Sequence, residues 1–131
     1  MNITQPQTIA TWHAAVANQD FGAVEGLIAD DATFYSPAVH SPQIGKPLVV
    51  KYLRAAMSLL NNESFRYVDE WYGERSAVLE FELTLDGTYV NGIDLIRWNT
   101  DGKIVRFKVM VRPLKGLNTV LALMGARLQA S

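Results

Sequence analysis

The chain has 131 residues, of which 49% are hydrophobic and 19% charged, so we expect one globular domain over residues 1–131. A formal net charge of −1 gives no electrostatic reason to expect nucleic acid or an anionic membrane as a partner. The absence of cysteine excludes disulfide and thiolate chemistry, and the lack of a signal peptide or an apolar run of about 20 residues predicts a soluble, cytoplasmic protein.

The first half of the chain is mainly helical in its pattern. Apolar residues at helical spacing predict a first helix over Thr4–Asn18. A second, short helix follows, with Asp20 as its N-cap and Asp30–Asp31 at its end. Ala32–Ser36 is predicted as a short strand, and after a loop rich in proline and serine a third helix runs over Pro47–Leu60.

The second half changes to alternating apolar and polar residues, which predicts four strands. They are Phe65–Tyr72, Ala77–Leu85, Thr88–Trp98 and Ile104–Arg112, joined by turns at Gly73–Glu74, Asp86–Gly87 and Asp101–Gly102. Each strand has one apolar and one mostly polar face, which is typical of an antiparallel sheet covered on one side. Helices followed by strands predict an α+β fold.

An amphipathic stripe follows the last strand and predicts an extra C-terminal helix. Its apolar residues recur at spacings of three and four, at Leu114, Leu117, Leu121, Met124 and Leu128. The sequence leaves open whether this helix closes the open end of the sheet or pairs with another subunit.

One ionisable residue falls on the apolar face of its strand. In Thr88–Trp98, parity places Asp94 among the apolar side chains and Arg97 on the other face. Because removal from water favours the neutral form of a carboxyl group, Asp94 is a candidate acid or hydrogen-bond donor. The alternative is a structural carboxyl that is bonded to Asn91, to the backbone or to Trp12.

The order of elements is accompanied by a set of short motifs. They are Asp20–Phe21, Leu27–Phe34, Ser36–Pro37, Gly45, Ile93–Asp94 and Asp101–Ile104. Over the range from about Trp12 to Arg112, this combination resembles the nuclear transport factor 2-like superfamily, which includes ketosteroid isomerases and SnoaL-like polyketide cyclases. The resemblance implies a cone-shaped, cystatin-like α+β fold, in which a strongly curved, mostly antiparallel sheet wraps around the N-terminal helices. Isomerases, cyclases, hydrolases and non-enzymatic binders share that fold.

The resemblance also implies part of an isomerase site. Asp94 coincides with the aspartic acid that donates, when protonated, to the dienolate oxygen in ketosteroid isomerases. Ser36 stands where that family has its aspartate base, and Trp12 where it has its oxyanion-hole tyrosine. Since a neutral serine cannot abstract an α-proton unaided, His40 is the candidate auxiliary base. In SnoaL-like cyclases a single pocket aspartate serves as acid/base, and Asp94 is the candidate for that role.

The resemblance implies an apolar pocket between the sheet and the helices, and such pockets suit hydrophobic small molecules. The candidate lining residues are Trp12, Phe34, Ser36, Tyr52, Phe81, Trp98 and Phe107. Core packing alone would place the same aromatic residues inside. The site of limonene-type epoxide hydrolases, with two aspartates and an arginine, is not expected, because parity places Arg112 on the face opposite the cavity.

No cofactor or metal site is expected. The two histidines, His13 and His40, lie far apart in a chain without cysteine, which does not resemble a metal site. The sequence also lacks a glycine-rich phosphate loop. His13 is expected to be peripheral, and the alternative for His40 is a solvated loop histidine.

Three functions stay open at this point. The first is an isomerase or cyclase that acts on a hydrophobic carbonyl compound, with Asp94 as acid/base. The second is a non-catalytic protein that binds a hydrophobic small molecule. The third is an assembly domain that forms a homodimer through the outer face of the sheet, which carries Glu80, Glu82, Arg97, Lys108, Met110 and Arg112.

Overall fold

A computed structural model describes residues 4–130 of the chain. Its elements are α1 (Gln7–Ala17), α2 (Phe21–Leu27), β1 (Ile28–Tyr35), β2 (Gln43–Ile44), α3 (Lys46–Leu60), β3 (Arg66–Tyr72), β4 (Ser76–Leu85), β5 (Thr88–Trp98), β6 (Ile104–Arg112) and α4 (Leu114–Ala130). The predicted α+β class is confirmed. Within the described range, no helix is both long and apolar enough to cross a membrane.

The strands form one curved, unclosed sheet in the order β2-β1-β6-β5-β4-β3. All neighbouring pairs are antiparallel except β1 and β6, which run parallel. The hairpin between β4 and β5 turns at Asp86 and Gly87, whose φ angles are 51° and 75°. Two consecutive positive φ values are those of the type I′ turn, which matches the twist of the flanking strands.

The structure corrects the predicted start of the first strand. The second helix ends at Leu27, and β1 begins at Ile28, four residues before the predicted start. The pair Asp30–Asp31 lies inside this strand, where both side chains are exposed and the pairing with β6 is irregular. Two consecutive exposed acidic residues in an irregular stretch of strand thus resembled a helix end in the sequence.

The helices pack against one face of the sheet, which we call the concave face. One core cluster joins α1, α2 and α3 to the sheet through residues such as Ile9, Val24 and Leu53. A second cluster lies where α4 covers the sheet, around Leu83 and Val120. The C-terminal helix therefore packs on the sheet of its own chain.

Candidate functional site

A cavity of about 190 Å³ lies between the concave face and helices α1, α3 and α4. Most of its wall is apolar. The polar or hydrogen-bonding side chains in the wall belong to Trp12, Ser36, Tyr52, Asn61, Tyr67 and Asp94. Among the lining residues in the described part of the chain, Asp94 is the one carboxylate, and none is histidine, lysine or arginine. Any proton transfer by an ordinary acidic or basic side chain in this wall therefore depends on Asp94.

Strand register explains why Asp94 faces the cavity. In the antiparallel pairs, Asp94 lies opposite Leu79 of β4 and Val109 of β6, and both point to the concave face. Directly paired residues share a face of the sheet. The side chain of Asp94 is 7% exposed, whereas Arg97, three residues later on the other face, is exposed.

A chain of hydrogen bonds reaches Asp94 from the helical side. The indole Nε1 of Trp12 donates to the hydroxyl oxygen of Tyr67 at 2.9 Å, and the Tyr67 hydroxyl donates to Oδ2 of Asp94 at 3.0 Å. An indole N–H is only a donor, so the Tyr67 oxygen accepts from it and keeps its own proton for Asp94. The direction of the chain is therefore fixed, and it ends on the carboxyl group.

The second carboxyl oxygen of Asp94 stays available to a ligand. Oδ1 has no hydrogen-bond partner among the described residues, and it is not one of their fully buried, unpaired atoms. Because Asp94 is part of the cavity wall, Oδ1 faces the cavity. A ligand oxygen placed there would meet a proton donor when Asp94 is neutral and a base when it is ionised.

Burial raises the pKa of Asp94 from its usual 3.8 to about 7, against the opposite effect of the hydrogen bond from Tyr67. Burial, and next the charge of Asp94, raise the pKa of Tyr67 well above its usual value. At neutral pH both forms of Asp94 are therefore populated, while Tyr67 stays protonated. A group with these properties can both accept and return a proton.

Tyr67 is the main residue that the sequence reasoning missed. It is paired with Phe81, and a register shift between Tyr67 and Asp69 interrupts the alternation of β3. This bulge brings both Tyr67 and Glu70 to the concave face, although they are three residues apart. A signal for Tyr67 existed, because it follows the inward-facing Phe65 by two residues, but nothing in the sequence indicated the bulge.

Comparison with known proteins agrees with this architecture. The model of the SnoaL-like domain matches residues 9–107. The chain belongs to the SnoaL-like domain family. It is 38% identical to a steroid delta-isomerase from Pseudomonas aeruginosa, with 94% of this chain and 90% of that chain covered and a TM-score of 0.88. No curated protein matches the sequence.

Two further solved structures share the fold of this SnoaL-like domain. An uncharacterised protein with a cystatin-like fold from Silicibacter pomeroyi DSS-3 is 29% identical, with coverage of 95% and 87% and a TM-score of 0.87. A candidate polyketide cyclase from Sinorhizobium meliloti is 15% identical, with coverage of 81% and 95% and a TM-score of 0.64. The resemblance to the nuclear transport factor 2-like superfamily is thus confirmed.

The structure brings most of the candidate residues of this SnoaL-like domain to one cavity. The candidates that line it are Trp12, Phe34, Ser36, Tyr52, Phe81, Phe107 and Asp94. Trp98 is not part of the wall, because it lies at the end of β5, four residues beyond Asp94, and packs in the core. His40 is not part of the wall either, and its side chain is exposed in the loop after Val39.

Ser36 lies in the wall but has a local backbone partner. Its Oγ accepts a hydrogen bond from the backbone N–H of Ala38 at 3.0 Å. Neither of the two side chains suggested as partners of Asp94 hydrogen-bonds to it, since Trp12 bonds to Tyr67, and Asn91 bonds to Glu80, to the backbone of Phe81 and to Arg112. The side chain that donates to Asp94 is instead that of Tyr67.

A second polar cluster lies next to the first but outside the cavity wall. Nε2 of His13 lies 2.6 Å from Oε2 of Glu70, although the geometry of this contact is not that of a hydrogen bond. The Tyr72 hydroxyl donates to the other oxygen of Glu70 at 2.7 Å. His13 also packs edge-on against Tyr67, with ring centroids 4.8 Å apart.

Among the described residues, no group of three or more potential ligands from His, Asp and Glu is arranged to hold a metal ion.

Proposed function

We propose that this SnoaL-like domain is an enzyme that isomerises or cyclises an apolar carbonyl compound, with Asp94 as its acid/base. The observation that carries the proposal is a buried carboxyl group with a pKa of about 7 and one free oxygen in the wall of an apolar cavity. Perturbed carboxyl groups in cavities are typical of acid/base sites. The similarity to a steroid delta-isomerase supports chemistry at a carbonyl compound.

For isomerisation, the proposed step moves one proton. Ionised Asp94 takes a proton from the carbon next to the carbonyl group, and the electrons of that C–H bond form an enolate. Neutral Asp94 then returns the proton to the γ-carbon, which moves the double bond into conjugation. For cyclisation, the same enolate would attack a second carbonyl carbon of the substrate, and neutral Asp94 would return its proton to the alkoxide oxygen that forms there. Both routes use Asp94, whose pKa of about 7 lets it act as base and as acid near neutral pH.

Tyr67 and Trp12 support this step without contacting the reacting carbon. The hydroxyl of Tyr67 stabilises the ionised form of Asp94, and its donation leaves Oδ1 as the oxygen that faces the substrate. The N–H of Trp12 holds the Tyr67 oxygen in place. The apolar wall lowers the local dielectric constant, which strengthens each of these interactions.

The cavity differs from the family's isomerase pattern at the position of the base, which limits the mechanisms that are open to this protein. The resemblance places Ser36 at the position of the isomerase base, and a serine hydroxyl is a poor base. We therefore propose a mechanism with a single carboxyl group, in which the exposed His40 takes no part. A volume of about 190 Å³ is below the range of roughly 300–1,000 Å³ that is common for drug-sized ligands. The cavity therefore holds about one small ring or a chain of similar volume, and any larger part of a substrate would lie outside it.

The test uses a β,γ-unsaturated cyclic ketone, since its conversion to the conjugated enone is visible by absorbance. Turnover of monocyclic and of steroid ketones is measured for the wild type, Asp94→Asn and Asp101→Asn. The last variant makes the same chemical change at an exposed turn residue. We expect Asp94→Asn to lower kcat at least 100-fold with little change in ligand affinity, and Asp101→Asn to have no effect. Equal turnover by the wild type and Asp94→Asn would refute the proposal.

A non-catalytic binding protein is the second candidate, and the absence of a carboxylate at Ser36 favours it. In this case the wild type would retain an apolar ketone but give no product, and no exchange of its α-protons with D₂O, at any pH between 5 and 9. NMR of the ketone in D₂O measures this exchange directly. Exchange that disappears in Asp94→Asn would exclude the binding function as the whole explanation.

We also propose that the outer face of the sheet mediates a homodimer. This face carries charges of both signs, with Glu80 and Glu82 on β4, Arg66 of β3 ion-paired with Glu82, and Arg97, Arg106 and Lys108 on β5 and β6. A two-fold axis pairs this face with the same face of a second copy, so side chains of opposite charge can meet across it. Sedimentation at micromolar concentration tests this, and a monomer would refute a stable dimer.

A further inference from the structure

The C-terminal helix contains two glycines with opposite surroundings. A Cβ atom at Gly116 would lie 2.7 Å from the backbone oxygen of Tyr89, so close packing of α4 on β5 requires glycine there. A Cβ atom at Gly125 would meet no atom within 4 Å, other than its own helix backbone and chain neighbours. Packing therefore explains Gly116 and does not explain Gly125.

Glycine at position 125 lowers the stability of helix α4, and neither packing nor backbone conformation requires it. Inside a helix, glycine is less favourable than alanine, because a chain with glycine loses more backbone freedom on folding. No backbone conformation demands it, since Gly125 is helical and without a positive φ. The empty space beside it is thus the property that distinguishes it from alanine or a larger residue.

That space belongs to the mouth of the cavity. Gly125 lines the cavity and is also exposed, so the cavity reaches the surface at this point of α4. The neighbouring wall is apolar and flexible, with Met124 and Leu128 on α4 and Met57 on α3. Methionine side chains adapt their shape easily to a chain-like ligand.

The mouth and the carboxyl group belong to one continuous cavity. Gly125 and Asp94 both line it, although they are on α4 and β5. The second core cluster, where α4 covers the sheet, also contacts Val109, the cross-strand partner of Asp94. A ligand with its polar end at Asp94 and its other end beside Gly125 would therefore run along the apolar wall that α4 contributes.

We propose that Gly125 keeps the mouth of the cavity open and that the substrate is an elongated carbonyl compound whose apolar tail leaves beside Gly125, between α3 and α4. This inference rests on the proposed function for the position of the carbonyl group at Asp94. The tail contributes affinity through burial of its methylene groups, whereas the carbonyl group fixes the orientation.

The experiment measures binding of straight-chain methyl ketones, from 2-hexanone to 2-dodecanone, by calorimetry and by tryptophan fluorescence. Trp12 is the tryptophan in the wall and reports occupancy. The variants are Gly125→Leu, Gly125→Ala and Gly26→Leu. Gly26 is the matched control, because it is an exposed helical glycine where an added Cβ atom would meet no atom within 4 Å, and it is not part of the wall.

For the wild type and Gly26→Leu, we expect affinity to rise by about fourfold for each added methylene group. For Gly125→Leu, we expect the short ketones to bind within about twofold of wild type and the long ones to gain nothing beyond a limiting length. Gly125→Ala should shift that limit only slightly. It should also fold at least as well as wild type, which keeps the test valid if the leucine variant is unstable.

Two results would overturn the inference. One is an unchanged dependence on chain length in both Gly125 variants. The other is an equal loss of affinity for short and long ketones in a folded Gly125→Leu, which would mean that leucine fills the cavity. Either result leaves the turnover test of Asp94→Asn untouched. Conversely, a length limit in Gly125→Leu without turnover by the wild type would support the mouth and refute the catalytic function.

Discussion

The hydroxyl of Tyr67 donates a hydrogen bond to Oδ2 of Asp94 across 3.0 Å, inside the concave face of the sheet. Two opposing effects meet at this contact. Burial favours the neutral carboxyl group, whereas the hydrogen bond favours the ionised one, and the pKa of Asp94 settles at about 7. The pair thus sets the protonation state of Asp94 near neutral pH and contributes to the pH dependence of folding.

The first prediction concerns stability against pH. Because the pKa of Asp94 is raised from 3.8 to about 7 on folding, the folded state binds its proton more tightly than the unfolded state. Stability from this group is fully present below pH 4 and is lost as the pH rises to about 7. The slope is about 1.4 kcal/mol per pH unit and the total is about 4 kcal/mol.

Urea unfolding of the wild type and Asp94→Asn at several pH values measures this contribution. Asparagine resembles the neutral acid and does not titrate, so the free energy of unfolding of Asp94→Asn should not contain the decrease between pH 4 and pH 7 that Asp94 causes in the wild type. Other groups titrate equally in both proteins, so their effect cancels in the difference between the two free energies. A difference that stays constant with pH would contradict a raised pKa in the folded state.

The second prediction concerns Tyr67→Phe. This change removes the donor to Asp94 and leaves the buried N–H of Trp12 without its acceptor. We expect a loss of about 1–3 kcal/mol of stability and a further rise in the pKa of Asp94, since the bond from Tyr67 lowers it. The activity profile should shift to higher pH accordingly.

Tyr72→Phe is the control for that variant. Its hydroxyl donates to the carboxylate of Glu70 on the same strand, outside the cavity wall. It therefore removes one tyrosine hydroxyl and one charge-assisted hydrogen bond without touching the cavity. A pH profile that moves equally in both variants would show that Tyr67 has no specific effect on Asp94.

Much of the fold was predictable because its signals are local. Strands β5 and β6 have the predicted ends, and α3 begins one residue before the predicted Pro47. Alternation and turn residues determine such elements within a short window of sequence. The two-residue strand β2 was not predicted, because its pairing with β1 depends on contacts across a loop.

The candidate site was predictable only where strict alternation holds. Asp94 could be placed on the concave face, since β5 alternates without interruption up to Arg97. In β3 the parity changes after Tyr67, so the two halves of the strand indicate different inward faces, and such a bulge depends on the neighbouring strand. Trp98 shows that alternation predicts the face of a residue but not its cavity. Residues on one face of a strand can lie far apart along it, so they need not line the same cavity.

The third prediction compares the same substitution at two positions of α4. Gly116→Ala should lower stability by about 1–3 kcal/mol, because its Cβ would approach the backbone oxygen of Tyr89 to 2.7 Å and the strand cannot move freely. Gly125→Ala should raise stability by up to about 1 kcal/mol, because the methyl group meets open space and the helix propensity improves. Thermal unfolding of both variants measures the two signs, and a gain at Gly116 would contradict the observed packing.

The last prediction concerns two like charges on the outer face. Arg97 and Arg106 are direct cross-strand partners on β5 and β6, where like charges destabilise a sheet. In the monomer, Arg97→Glu should therefore raise the free energy of unfolding by about 0.2–1 kcal/mol, because it creates an opposite pair. The gain should fade at high salt, since both side chains are exposed. Arg75→Glu, an exposed turn residue with the same charge change, is the control, and an equal gain in it would mean that only the net charge matters.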